Sequence, residues 1–284
     1  MPAVPSDPLD LVVWGPDAVT LARVDELRSS PQFERFQPYL ERATCTPLAA
    51  WDDLLRVTRR AVVASRSQPD GEPWLVVLDG KYTEADARRL LDVAIQRAPR
   101  RAAPAATAVT SERAGRFDLV HNQQLAASAL EGRLLVLGTK DWVQAALGAI
   151  EHPAATFKTS SLWRGPAARV QCAERQLCML TVANSRASRQ LQQGLAGVGG
   201  NALAGQLGSA DSALSLSLPA GAELSFAAQL SGADVAASAR EQLHTLLTRA
   251  SVLVSLTGLP DVLGQVRVTN EAELLRADLS VSPS

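Results

Sequence analysis

Residues 74–98 read WLVVLDGKYTEADARRLLDVAIQRA, and this stretch decides the fold. An apolar run, Trp74–Leu78, is typical of a buried strand, and Gly80 follows it as a turn residue. Thr83 with Asp86 three residues later is typical of a helix N-cap. The apolar residues then recur at helical spacing, at Ala87, Leu90, Leu91, Ala94, Ile95 and Ala98. The stretch predicts a strand, a turn and a helix that lies on a sheet.

The same succession of strand, glycine turn, polar cap and amphipathic helix recurs at Arg133–Ile150 and at Glu223–Ala250. Repetition of one pattern indicates related structural units. We predict an α+β fold with two related units, each a largely antiparallel sheet with helices packed on one face. The helix stop near His152 places the boundary there, so the predicted units are residues 1–152 and 153–284.

Within the first unit, alternating apolar segments predict an antiparallel meander that follows the helix capped by Thr83. Its strands are Thr107–Thr110, Phe117–His121, Leu125–Leu130 and Arg133–Leu137. A helix over Asp141–Ile150 follows them. Near the start of the chain, the pattern predicts a short strand at Leu9–Trp14 and a helix capped by Asp17.

The second unit shows the clearest alternation of the chain. Apolar residues occupy every second position at Leu214, Leu216 and Leu218, and again from Leu224 to Leu230. Pro219-Ala220-Gly221 between them predicts a hairpin. A long helix from Ala233 and a closing strand pair, 265–269 and 275–281, complete a β-β-α-β-β order.

Composition excludes several classes of function. The 284 residues carry a formal net charge of −1, which gives no long-range attraction to nucleic acid. No apolar run approaches the roughly 20 residues that a membrane-spanning helix needs. The Pro-rich opening, Met1–Pro8, suits a flexible lead-in left after a signal segment or lipid anchor is replaced by a start codon. A natural cytosolic start is the alternative.

Two of the three cysteines are close in sequence. Cys172 and Cys178 flank a short polar segment, and a hairpin with a loop at Glu174–Gln176 would bring their sulfurs together. A disulfide there would indicate an oxidising compartment. The alternative is two buried thiols that act as small hydrophobic side chains. The spacing lacks C-x2-C and a nearby histidine, so we expect no metal site.

The small-residue segment Gly194–Gly208 has two interpretations. It is either a flexible loop or loose helix end, or an exposed apolar flap formed by Leu195, Val198, Leu203 and Leu207 that contacts a membrane or a hydrophobic ligand. Gly197–Ala202 matches G-x-G-x-x-A, but it follows a helix-like segment instead of a strand, and Leu218 stands near the position of the expected acid. We therefore expect no nucleotide cofactor.

No catalytic residue is predicted. His121, His152 and His244 are isolated from one another in sequence. No serine lies in a G-x-S-x-G motif, so the sequence offers no candidate nucleophile of the hydrolase type. The sequence therefore favours a protein that is not an enzyme.

Five segments carry a resemblance to a group of bacterial proteins. They are Ala22–Pro31, Arg60–Ala64, Trp74–Thr83, Leu134–Thr139 and Trp142–Leu147. Together they resemble uncharacterised secreted or lipid-anchored α+β proteins of Gram-negative bacteria, mainly over the first half of the chain. The resemblance implies a periplasmic or cell-envelope location, and a lipid anchor in the precursor. It implies no catalytic residue.

These observations predict a non-enzymatic extracytoplasmic binding or scaffold protein that acts on a protein partner. The alternative is a carrier of a lipid or other apolar ligand held between helices and sheet, and an enzyme is the third hypothesis. A cytoplasmic location is the alternative to the cell envelope. A flat apolar patch would favour the protein partner, and a dry apolar cavity would favour the carrier.

Overall fold

The computed structural model describes residues 2–13, 15–31, 33–34, 52–68, 72–97, 108–152, 155–197, 200–218, 222–256 and 262–281. The chain forms two compact units. Unit 1 contains residues 1–16, 21–29 and 33–159, and unit 2 contains residues 17–20, 30–32 and 160–284. The main division therefore falls after Thr159, whereas the sequence predicted it after His152, and two short early segments belong to unit 2.

Unit 1 contains a sheet with the strand order β1-β2-β3-β7-β6-β5-β4. Its strands are β1 (Ala18–Arg23, of which residues 21–23 belong here), β2 (Arg60–Ser65), β3 (Trp74–Asp79), β4 (Thr110–Ala114), β5 (Phe117–His121), β6 (Leu125–Leu130) and β7 (Leu134–Thr139). Its helices are α1 (Val24–Ser29), α2 (Asp52–Val57), α3 (Glu84–Arg97) and α4 (Lys140–Glu151). The pairs from β2 to β7 are antiparallel.

Helix α3 begins as the sequence predicts. The Thr83 amide donates to Asp86 Oδ2 at 2.8 Å, and the Asp86 amide donates to Thr83 Oγ1 at 3.3 Å. This reciprocal capping satisfies amides that have no partner inside the helix. The inward residues Ala87, Leu90 and Leu91 are buried against the sheet. The prediction of this helix is confirmed.

Helical cover lies on both faces of the sheet of unit 1. Leu135 and Leu137 of β7 pack in one cluster with α3. Leu134 and Val136 point the other way because side chains alternate along a strand, and both are fully buried. On that second face, Lys140 at the start of α4 contacts His121 of β5. The sequence predicted helices on one face, and α4 adds cover to the other.

The strands of unit 2 follow the order β11-β12-β10-β9-β8-β1, to which β1 contributes residues 18–20. Its strands are β8 (Leu177–Thr181), β9 (Asp211–Ser217), β10 (Ala222–Gln229), β11 (Arg267–Glu271) and β12 (Leu274–Val281). Its helices are α5 (Arg186–Gly197), α6 (Asn201–Gly208) and α7 (Ala233–Leu256), with a π-helical turn at Trp163–Ala167. The pairs from β8 to β12 are antiparallel.

The two units share one topological pattern. In unit 1, the hairpin β2–β3 leads into α3, and the chain returns through β7, which pairs with β3. In unit 2, the hairpin β9–β10 leads into α7, and the chain returns through β12, which pairs with β10. The α+β fold class with largely antiparallel sheets is confirmed.

The first elements of the chain differ from the prediction. Residues Pro8–Leu11 form a 3-10 turn in place of a strand, because the Asp7 carboxylate accepts from the Leu9 amide at 3.1 Å and Pro8 suits the first helical position. Residues Ala18–Arg23 form strand β1, whereas the sequence predicted a helix from Asp17. Strand β1 is paired on both sides, with β8 and β2, and those neighbours are distant in sequence.

A membrane-spanning element is not found among the described helices: none of them is both long enough and apolar enough to cross a bilayer.

Candidate functional site

The strongest candidate site is an apolar surface on the sheet of unit 2. Residues that face one another across antiparallel strands point to the same side of a sheet. Two such rows cross β8, β9, β10 and β12 in order: Leu177, Leu216, Leu224 and Leu279 form the first row, and Met179, Leu214, Phe226 and Ala277 form the second. We call these eight residues the apolar sheet face.

The apolar sheet face is partly open to solvent. Met179 is 45% exposed and Leu224 is 36% exposed. The other six residues are half-buried. Strand β9 separates Met179 from Leu224, and its half-buried Leu214 and Leu216 connect them. Single exposed apolar residues are common on protein surfaces, but a continuous apolar patch is typical of a binding surface.

The reverse side of the same strands has the opposite character. On β8, β9 and β10 the reverse side carries small or medium-sized buried side chains, at Cys178, Leu180, Ala213, Ser215, Ser225 and Ala227, and on β12 it carries the half-buried Arg276 and Asp278. Ser215 Oγ donates to the Val170 carbonyl at 2.9 Å, and Ser225 Oγ donates to Asp278 Oδ1 at 2.7 Å. The larger apolar side chains thus occupy the more exposed side. A sheet that only had to fold would carry its largest apolar residues on its buried side.

Helices α6 and α7 cover the next row of the sheet. Ala228 and Leu275 face each other across β10 and β12, and both are fully buried. They pack in a cluster with residues of α6 and α7, including Leu203 and Ala239, and Phe226 lies at the margin of this cluster. Among the described residues, this cluster includes Phe226 of the second row and no residue of the first row.

Unit 1 provides an internal comparison for the first row. In the shared topology, Ser65 and Trp74 of the β2–β3 hairpin correspond to Leu216 and Leu224 of β9 and β10. Thr139 of β7 corresponds to Leu279, and its hydroxyl donates to the Trp74 carbonyl at 3.4 Å. Unit 1 carries a serine and a threonine at positions where unit 2 carries leucines. The fold pattern alone therefore does not require leucine there.

A second candidate is a group of ionisable side chains on unit 1. Glu112 Oε1 lies 3.1 Å from Lys140 Nζ, and Glu112 Oε2 lies 3.3 Å from His121 Nε2. Lys140 Nζ also lies 3.2 Å from His121 Nδ1. The hydrogen bond from Lys140 lowers the pKa of Glu112, and the charges of His121 and Lys140 add to this effect.

This Glu112–His121–Lys140 cluster has a structural explanation. It ties the edge strand β4 to β5 and to the first residue of α4. The partners of His121 lie on two other elements, so this cluster is not visible as a motif in the sequence. One signal was available in the sequence: the hairpin of β4 and β5 pairs Glu112 with Leu119. Leu119 and His121 are two residues apart on β5, so Glu112 and His121 lie on the same side of the sheet. Over the described part of the chain, no group of three or more metal-ligating side chains is found.

The structure brings Cys172 and Cys178 together. Their Cα atoms are 5.3 Å apart, their sulfur atoms are joined, and both residues are buried. The local geometry differs from the predicted hairpin, because only Cys178 lies in a strand. The Cys172 amide donates to the Ala167 carbonyl at 3.0 Å, and Gln171 turns the chain with a φ of 55°. Cys45 lies outside the described residues.

The expected apolar flap does not form as an exposed segment. Leu203 and Leu207 are 1% and 3% exposed, since they are one turn apart on α6 and both face the core of unit 2. Leu195 of α5 is half-buried against the same core, and Val198 lies outside the described residues. The flap interpretation is therefore wrong for Leu203 and Leu207. The G-x-G-x-x-A match joins two helices, α5 and α6, which is not the strand-to-helix setting of a dinucleotide site.

Comparisons with known proteins concern the fold. No family model matches the chain, and no curated protein sequence matches it. Crystal form I of a protein called TP0453 is similar, with a TM-score of 0.56 and 11% identity over 98% of this chain and 94% of that chain. Crystal form III gives a TM-score of 0.55 with 11% identity, over 98% of this chain and 95% of that one. At this identity the likeness shows a shared fold.

Proposed function

We propose that the protein is a non-enzymatic binding protein that holds a protein partner on the apolar sheet face. The observation that carries this proposal is the exposure of Met179 and Leu224 on the side of the sheet that bears the larger apolar residues. Desolvating such a patch against a partner is favourable, by about 25 cal/mol for each Å² of apolar surface.

The shape of the surface favours a protein partner over a carried ligand. The two rows lie side by side across neighbouring antiparallel strands, so they form an open, gently twisted surface. A carrier instead surrounds most of its ligand within a cavity. A protein partner can cover an open surface from one side.

We also propose that the protein works outside the cytoplasm, in the periplasm or cell envelope. The adjacency of Cys172 and Cys178 supports this location, because disulfides persist in oxidising compartments. The resemblance to secreted and lipid-anchored proteins supports it independently.

Native mass spectrometry of the protein purified from its own cells tests the function. We expect a co-purifying polypeptide with wild-type protein, and loss of it with Met179→Ser and Leu224→Ser. Glu241→Ala is the matched control, since Glu241 is an exposed residue of α7 and belongs to neither row, and this variant should keep the partner. A bound species of lipid mass would support the carrier instead. Recovery of the wild-type protein without any bound species would refute the proposal, and so would equal binding of the polypeptide by all variants.

A further inference from the structure

The interior position of strands β9 and β10 restricts what can bind the apolar sheet face. Strand β9 pairs with β8 and β10, and β10 pairs with β9 and β12. Their backbone amides and carbonyls are therefore engaged on both sides. A partner cannot add a strand at this surface, so it must bring a backbone whose hydrogen bonds are already satisfied. An α-helix meets this requirement, because its backbone hydrogen bonds are internal.

The dimensions of the surface agree with one helix. Neighbouring strands lie about 4.8 Å apart, so four strands span about 14 Å. The two rows are two residues apart along each strand, which is about 7 Å. A helix of about ten residues is about 15 Å long and about 10 Å wide with its side chains. Such a helix covers both rows at once.

The exposed area is too small for a dimer through this face. Of the eight residues, only Met179 and Leu224 are exposed, and the other six are half-buried. The patch therefore offers on the order of a few hundred Å², whereas a stable protein interface buries about 800 Å² on each partner. A single helix needs less area, because a few anchor side chains supply most of its binding energy.

The chemistry of the surface favours an apolar helix face. None of the eight residues is ionisable, and Met179 can adapt its shape to a neighbouring side chain. The two rows themselves contain no basic side chain that could bind a phospholipid headgroup. A helix with apolar residues on one side and charged residues on the other matches this arrangement.

Unit 1 shows the same type of packing within the protein. At the positions that correspond to Leu224, Phe226 and Ala277, unit 1 has Trp74, Val76 and Leu137, and these pack in the cluster beneath α3. In unit 2, Leu224 is 36% exposed and is not among the described residues that form the cluster with α6 and α7. A helix is thus the cover that this fold already uses at the matching place.

We propose that the partner presents one amphipathic helix of about three turns to the apolar sheet face. This inference rests on the proposed function, and it names the class of segment that binds. The contacting residues of the partner are apolar and recur at spacings of three and four, as in other helix-in-groove complexes.

Site-specific photo-crosslinking in the protein's own cells tests the inference. The photoreactive residue p-benzoylphenylalanine replaces Met179 in one variant and Leu224 in another, and the matched control carries it at Glu241. We expect adducts at 179 and 224 that map to one segment of one partner, with contacted residues three, four or seven positions apart. The control should not give this adduct.

A synthetic peptide of the mapped segment supplies the quantitative test. We expect it to bind the purified protein and to become helical on binding, as circular dichroism reports. A proline in the middle of the peptide should weaken binding at least tenfold, because proline interrupts a helix. Leu224→Glu in the protein should weaken binding of the unchanged peptide by a similar factor.

These experiments distinguish a failure of the helix inference from a failure of the proposed function. Contacted residues two positions apart, or a peptide that tolerates proline, would refute the helix and leave the proposed function intact. Adducts with a second copy of this chain would refute the helix in the same way. A lipid adduct, or no adduct at either 179 or 224, would refute the proposed function together with the inference.

Discussion

Leu224 lies opposite Leu279 across β10 and β12, and three residues further along the same pair of strands Ala227 lies opposite Arg276. Leu224 is 36% exposed, whereas Ala227 is fully buried. Because their positions differ by an odd number, the two residues point to opposite sides of the sheet. The same strand thus buries a small side chain on one side and exposes a large apolar one on the other.

Stability measurements should separate surface residues from core residues on this side of the sheet. We expect Leu275→Ala to lower the free energy of unfolding by about 2–5 kcal/mol, since Leu275 is fully buried. Leu224→Ala removes the same atoms from a partly exposed site and should cost about 1 kcal/mol. Urea unfolding of both variants measures this difference. Equal losses would show that Leu224 belongs to the core.

The absence of a side chain at Gly138 is required by a close approach within unit 1. A Cβ atom there would collide with the Trp74 carbonyl oxygen, which is backbone and cannot rotate away. We expect Gly138→Ala to destabilise the protein by about 1–3 kcal/mol. Gly148→Ala is the matched control on α4, where a Cβ has open space and should stabilise the helix by about 0.5–1 kcal/mol. Thermal melts of both variants measure these changes in stability. A Gly138→Ala variant as stable as wild type would contradict the close approach of Gly138 to Trp74.

Tyr82 should make stability depend on alkaline pH. Its hydroxyl lies 2.7 Å from Thr58 Oγ1 in a buried site, and burial raises the pKa of Tyr82 to about 12. In the unfolded chain tyrosine ionises near pH 10, so the unfolded state loses its proton first. The free energy of unfolding should therefore fall as the pH rises from about 10 to about 12.

The variant Tyr82→Phe isolates this effect. Its stability should fall less than that of wild type as the pH rises from about 10 to about 12. The two proteins differ by one tyrosine, so the difference in their tyrosinate absorbance should titrate near pH 12. At neutral pH the variant should be less stable by about 1 kcal/mol through loss of the hydrogen bond. A difference titration near pH 10 would show that Tyr82 is solvated.

The acidic limb of the pH profile should report the Glu112–His121–Lys140 cluster. Since Lys140 lowers the pKa of Glu112, the pairing adds stability above the ordinary glutamate pKa and loses it as the pH falls through the lowered value. Lys140→Met should raise the pKa of Glu112 towards its ordinary value in a carboxyl-carbon NMR titration. Lys158→Met, which removes a lysine paired with Asp7 and Asp10, should leave Glu112 unchanged. If the pKa of Glu112 were the same in wild type and in Lys140→Met, the pairing would be ruled out.

Thiol counting should detect the bond between Cys172 and Cys178. The sequence has three cysteines, so alkylation of the denatured protein without reductant should label Cys45 alone. Reduction should then expose all three thiols. The double variant Cys172→Ala/Cys178→Ala should lose about 2 kcal/mol of stability, the amount that chain entropy assigns to so short a loop. Three labelled thiols in protein from its own cells would refute the disulfide and weaken the extracytoplasmic proposal.

Local sequence signals predicted the elements that local interactions stabilise. The Thr83–Asp86 capping pair and the spacing of Leu90 and Leu91 are enough to specify α3, and its hydrogen bonds lie within a few residues. The alternation at Leu214 and Leu224 likewise predicted the β9–β10 pair, since neighbouring strands joined by a short connection find each other easily.

Long-range pairing explains the elements that the sequence did not predict. Residues 18–23 carry a mixed pattern that is compatible with a helix, and they become strand β1 because β2 and β8 supply hydrogen bonds on both sides. The Glu112–His121–Lys140 cluster was missed for the same reason, since its members lie on β4, on β5 and at the start of α4. Leu203 and Leu207 resemble a loose apolar segment until the core of unit 2 covers them.

The sequence by itself determined the α+β class, the strand–helix–strand repeat and the side of each strand on which the leucines of unit 2 fall, because these follow from periodicity and capping within a few residues. Only the tertiary structure decided that this leucine side stays partly open. Among the described residues, the cover that α6 and α7 provide includes Ala228 and Leu275 and does not include Leu224, which is 36% exposed. That limit is set by contacts between residues far apart in the chain, which no local pattern records.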